Sequence, residues 1–62
     1  MKVFLNHQEI FVGSRAALRD LLVSQSINSN SVSVAVNNRI ITKEEWASTM
    51  LADGDKVTVM TN

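Results

Sequence analysis

Asp53-Gly54-Asp55-Lys56-Val57-Thr58-Val59-Met60-Thr61-Asn62 ends the sequence, and it reads as a tight turn feeding a strand. Gly54 supplies the positive φ that such a turn needs, and the flanking aspartates can bond nearby backbone. Val57 and Val59 then alternate with Lys56 and Thr58 as residues of a half-buried strand do. A strand placed this late must find its partners among strands formed earlier. The carboxylate at Asn62 is expected beside the exit of the sheet, and any chemistry belongs to that ending.

Earlier segments supply the partners. With His7-Gln8 as a two-residue turn, Asn6 pairs with Glu9, Leu5 with Ile10, Phe4 with Phe11 and Val3 with Val12. That register points Val3, Leu5, Ile10 and Val12 toward a core and both phenylalanines away from it. Ser14 is the expected N-cap of a helix from Arg15 to Gln25, on which Leu18, Leu21 and Leu22 form a stripe that Ile27 continues. Asn28 to Ser31 reads as a loop. Val32, Val34 and Val36 alternate with Ser33 and Ala35 as a third strand, Asn37-Asn38 turns the chain, and Arg39-Ile40-Ile41 returns as a short strand. Thr42-Lys43-Glu44-Glu45 matches a capping box at the start of a short helix through Trp46. Trp46, Met50 and Leu51 are expected to close the open end of the core.

The order strand, strand, helix, strand, short strand, short helix, strand is that of a β-grasp. The fold class expected is therefore α+β, with a mixed sheet of four to five strands, one main helix on one face, and the final strand parallel to and beside the first. Residues 1–62 are expected to form a single domain, because no linker or repeat interrupts them. At this length folding buries only about 60% of the surface of the unfolded chain, which limits the protein to one modest core.

Composition excludes several functions. The sequence has no cysteine, hence no disulfide framework, zinc ribbon or thiol nucleophile. Six basic and six acidic residues give a formal net charge of zero, without the electrostatic footprint of a nucleic-acid binder. No apolar run approaches the roughly 20 residues that cross a bilayer, and no signal-peptide pattern precedes the first strand, so a soluble cytoplasmic protein is expected.

A family resemblance joins this reading. Asp53-Gly54-Asp55-Lys56-Val57, together with Met1-Lys2-Val3-Phe4-Leu5-Asn6, Leu18-Arg19-Asp20-Leu21-Leu22, Ala35-Val36-Asn37 and Glu44-Glu45-Trp46-Ala47, resembles in the same order the pattern of the ThiS family. These are small ubiquitin-like sulfur carriers of thiamine biosynthesis. The resemblance implies a protein that is not an enzyme and binds no cofactor. A ThiF-like adenylating enzyme, using its own ATP, would activate the carboxylate of a C-terminal Gly-Gly, and a sulfur donor would convert it to a thiocarboxylate for a ThiG-like thiazole synthase. This sequence ends at Asn62 without Gly-Gly. The expectation is that it does not act as a carrier unless the natural chain continues, with truncation of a mobile tail the preferred explanation. The modified glycine would then lie beyond Asn62, and no catalytic residue is assigned.

Candidate site residues lie on the face opposite the helix. The expected register sets Phe4 beside Phe11 and brings Thr58 and Met60 alongside Phe4. Such an apolar patch on a small protein marks a partner surface, although an outward aromatic pair also stabilises a sheet by roughly 0.2 to 1 kcal/mol. The partner-binding set is Phe4, Phe11, Thr58 and Met60, with Arg39 at the rim. The protein is expected to be a monomer, or a weak dimer through Phe4, with no nucleic-acid, membrane or metal partner.

Other conspicuous side chains read more plainly. His7 is a solvated turn residue, Glu44 and Glu45 point different ways, Asp53 and Asp55 shape a turn, and Ser14 and Ser24 lack a base. Two other functions compete. One is a non-covalent ubiquitin-like interaction module using Phe4, Phe11 and Met60. The other is the sulfur carrier of molybdopterin synthesis, disfavoured by the short Ile41 to Asp53 segment.

Overall fold

The computed structural model describes residues 1–27 and 30–61. Five strands, β1 (Lys2–Leu5), β2 (Gln8–Phe11), β3 (Val32–Val36), β4 (Arg39–Ile41) and β5 (Lys56–Thr61), form one sheet in the order β2-β1-β5-β3-β4. Helix α1 (Leu18–Ser24) packs on one face. β5 pairs in parallel with β1 and antiparallel with β3. This is the β-grasp expected from the element order. The expected loop at Asn28 and Ser29, and the position of Asn62, lie outside the described residues.

Two asparagine-led turns shape the hairpins. Asn6 and His7 have φ of 49° and 72°, and Asn37 and Asn38 have φ of 52° and 69°. Both pairs thus adopt the left-handed conformation whose twist matches the flanking strands, and asparagine tolerates it best after glycine. The first turn is therefore Asn6-His7, not His7-Gln8. The pairs become Lys2 with Phe11, Val3 with Ile10, Phe4 with Glu9 and Leu5 with Gln8. A slip of two residues leaves every side chain on its expected face but changes its neighbour, so Phe4 faces Glu9 rather than Phe11.

The core comprises Val3, Val34 and Val57 from the sheet, Leu18, Leu21 and Leu22 from α1, and Trp46 and Leu51 from the connection to β5. Leu18 and Leu21 are essentially inaccessible, and burying each side chain is worth roughly 1.5 to 3 kcal/mol. Ile27 packs partly against this cluster, as expected. The Trp46 ring is buried and its indole N–H donates to the Ile41 carbonyl at 3.0 Å, so its one polar atom enters the core satisfied. Met50 departs from expectation: it is 56% exposed, and Trp46 and Leu51 close the core without it.

Helix α1 begins at Leu18 rather than Arg15, and Ser14 sits in a preceding turn. The N-cap is Ala17, which has no side-chain acceptor. Its role passes to other groups: the Asp20 carboxylate accepts the Ala17 N–H at 3.0 Å, while the Leu18 and Arg19 N–H groups donate to the carbonyls of Thr49 and Trp46. The Leu51 N–H returns a bond to the Ala16 carbonyl. The distant 46–51 segment thus satisfies donors that every helix start leaves open. At the other end Ser26 takes φ 57°, with Ser26 N–H to Val23 and Ile27 N–H to Leu22. This is a Schellman ending without glycine.

The second expected helix is a single 3₁₀ turn, Lys43–Glu45. Thr42 does not cap it as a capping box would. Its hydroxyl donates to the Glu45 carboxylate at 3.0 Å instead.

Candidate functional site

Alternation along the strands sorts their side chains between two faces. Opposite the helix lie Lys2 and Phe4 of β1, Glu9 and Phe11 of β2, Lys56, Thr58 and Met60 of β5, Ser33 and Ala35 of β3, and Ile40 of β4. Phe11 is 77% exposed, Ile40 60% and Met60 40%, while Phe4 is half-buried. The Lys2 ammonium stands 5.6 Å from the centroid of the Phe4 ring, within cation–π range.

The structure brings some of the expected site residues together and separates others. Phe4 and Phe11 are diagonal neighbours across the hairpin, about 7–8 Å apart at the backbone. Beside Phe4 on β5 stands Lys56, not Thr58 or Met60. Thr58 is one outward position further on, next to Ala35. Met60 is four residues past Lys56, about 13 Å along the strand, and pairs with Ser33 beyond the end of β1. Arg39 is the first residue of β4 and pairs with Val36, so by alternation it belongs to the helix side of the sheet rather than to the rim around Phe4.

Three features of this face escaped the sequence reading. Ile40 joins it as an exposed apolar residue, which a β4 beginning one residue after the Asn37-Asn38 turn makes inevitable. Ala35 is buried although it faces outward, its small side chain lying between Ile40 and Thr58. A groove of about 360 Å³ opens between Phe4, Lys56, Thr58 and the two asparagine-led turns, with His7 and Asn38 on its wall.

Side-chain bonds hold the groove's backbone in place. Asn37 accepts the Lys56 N–H at 3.0 Å and donates to the Asp55 carboxylate at 3.0 Å. Asp55 also accepts the Ala52 N–H, and Asp53 accepts the Lys2 N–H at 2.8 Å. Gly54 takes φ +86° between them. The two aspartates therefore build the turn, as expected. At the other end the Asn6 side chain accepts the Val59 N–H at 2.8 Å, extending the contact between the first hairpin and β5 where β5 outruns β1 and continues along β3.

Among the described residues no polar or charged side chain is buried, and no group of three or more His, Asp or Glu is placed to hold a metal ion. What the arrangement offers is an open surface with apolar, cationic and amide groups side by side, suited to gripping another molecule.

Residues 2–61 match the sequence model of the ThiS family. The uncharacterized protein ycf40 of Trieres chinensis is 33% identical over 58 residues, 94% of this chain and 80% of that one. Among solved structures, the crystal structure of the thiamine biosynthesis protein ThiS of Geobacter metallireducens is similar with a TM-score of 0.88 and 22% identity, over 100% of this chain and 94% of that one. Its solution structure gives 0.79 and 22%, over 97% and 81% of the two chains. A ubiquitin-like protein from the archaeon Caldiarchaeum subterraneum gives 0.53 and 18%, over 98% and 92%. At these identities the structural likenesses speak for the fold, and the family match extends over nearly every residue. The chain belongs to the ThiS family, the ubiquitin-like sulfur carriers of thiamine biosynthesis.

Proposed function

We propose that the face opposite the helix is the handle by which a ThiF-like adenylating enzyme grips this carrier, and that Phe4 is its central contact. The enzyme supplies the ATP site. A C-terminal glycine carboxylate following β5 is adenylated there, converted to a thiocarboxylate by a sulfur donor, and presented to a ThiG-like thiazole synthase. The carrier contributes recognition and a reactive terminus, and it works in the cytoplasm. No helix among the described residues is long and apolar enough to cross a membrane, which agrees with that setting.

The observation that carries the proposal is the outward set itself. Phe11, Ile40 and Met60 are exposed on strands whose inward residues complete the core, so they add little to folding. A groove open to solvent cannot exclude water around a reaction, which supports leaving the chemistry to the partner.

ATP–pyrophosphate exchange tests this with the chain carried on to a Gly-Gly terminus. Exchange is expected from the wild type, and Phe4→Asp is expected to reduce it at least tenfold while the circular dichroism spectrum is unchanged. Undiminished exchange by a folded Phe4→Asp variant removes Phe4 from the docking face. Absence of exchange from the wild type removes the carrier reading.

A further inference from the structure

Resting on that reading, we infer that the enzyme segment docking beside Phe4 is acidic, and that Lys56 binds its carboxylate. Lys56 stands opposite Phe4 on the adjacent strand, and both line the groove with His7, Asn38 and Thr58. No hydrogen bond or ion pair within the described residues occupies the Lys56 ammonium, the His7 ring or the Asn38 amide. The nearest acid in sequence, Asp55, is committed to Asn37 and to the Ala52 N–H. The groove thus holds an uncommitted cation and further unused polar groups together with Phe4, and no carboxylate lines it.

The second cation on this face strengthens the bias. Lys2 lies over the ring of Phe4 while Lys56 is the strand neighbour of Phe4 on β5, and Glu9, across the hairpin, is the one acid among the outward strand residues. A segment carrying an Asp or Glu next to an apolar side chain satisfies both parts of the site. The apolar group covers Phe4, and the carboxylate reaches Lys56 while His7 and Asn38 are free to donate to it. Neutral or basic segments would leave Lys56 desolvated without a partner, which is unfavourable. Charge at this position therefore selects the enzyme, while the apolar contact supplies adhesion.

The test is calorimetric binding of the 62-residue chain to the ThiF-like adenylating enzyme of the same organism. Lys56→Glu is expected to raise Kd at least tenfold, and Lys56→Arg to stay within about threefold of wild type. Lys56 is exposed and its bonds to Asn37 use only its backbone N–H and carbonyl, so its variants should melt like the wild type. Arg19→Glu places the same change of charge on the helix side and is expected to leave Kd unchanged. Raising ionic strength from about 0.01 M to about 0.15 M, which shortens the Debye length from about 30 Å to about 8 Å, should weaken wild type more than Lys56→Gln. Wild-type binding that Lys56→Glu does not weaken, or that Arg19→Glu weakens equally, overturns the acidic-segment inference and leaves the carrier reading intact. No binding by wild type overturns both.

Discussion

Consecutive residues of β5 belong to two different regimes. Val57 is 1% exposed and packs with Val3, Val34 and the leucines of α1, whereas Lys56 and Thr58 on either side are exposed and pack against nothing from the helix. The same contrast separates the whole sheet into a face that carries stability and a face that carries recognition. In a chain of 62 residues both tasks must share the same strands, and the two-residue period of the strand is what lets them do so without interference. Changes on the inner face should therefore unfold the protein, and changes on the outer face should leave it folded but unrecognised.

Leu21→Ala is the strongest test of the inner half of this contrast. Its side chain is 1% exposed beneath the helix, and truncation should cost about 2 to 5 kcal/mol, measured by urea unfolding. For a domain with only about 5 to 15 kcal/mol in hand, that loss can leave much of the population unfolded. A loss below about 1 kcal/mol would mean that the inner face is not where stability resides.

Gly54→Ala probes the turn that launches β5. A methyl group there would meet nothing within 4 Å, but the residue holds φ +86°. The penalty is then conformational alone, about 1 to 2 kcal/mol. An unchanged unfolding midpoint would show that the Asp53 and Asp55 bonds hold the turn irrespective of its torsion preference.

Phe11→Ser should have the smallest effect on folding. The ring is 77% exposed and diagonal, not opposite, to Phe4, so the loss should stay below about 1 kcal/mol. Binding to the adenylating enzyme should nevertheless weaken measurably. A destabilisation comparable with that of Leu21→Ala would erase the distinction between the faces.

Much of this division was legible in the order of residues. Alternation of valines in β3 and β5, the leucine stripe on α1 and the asparagine pair at Asn37-Asn38 are local signals, and each appears where expected. The face of Phe4 survived even a wrong hairpin turn, because moving the turn one residue, to Asn6-His7, shifts the pairing by two, and a shift of two preserves the pleat. Its neighbours did not survive. Which residue sits beside Phe4 depends on how β5 registers on β1, and that register is fixed by Asp53 bonding Lys2 and Asn6 bonding Val59, contacts between residues 51 and 53 positions apart.

The helix start shows the same limit from another side. Ser14 has the side chain of an N-cap, yet Ala17 occupies that position because carbonyls of Trp46 and Thr49 stand ready for the first N–H groups. Short-range preference in this chain thus determined which segments become strands and helix, and which side chains turn toward or away from the core, since torsional bias and periodicity act within a few residues. Only tertiary structure decided that Lys56, rather than Thr58 or Met60, accompanies Phe4, and that Met60 pairs with Ser33 beyond the end of β1. Those outcomes depend on hydrogen bonds between strands distant in sequence, whose geometry no local pattern encodes.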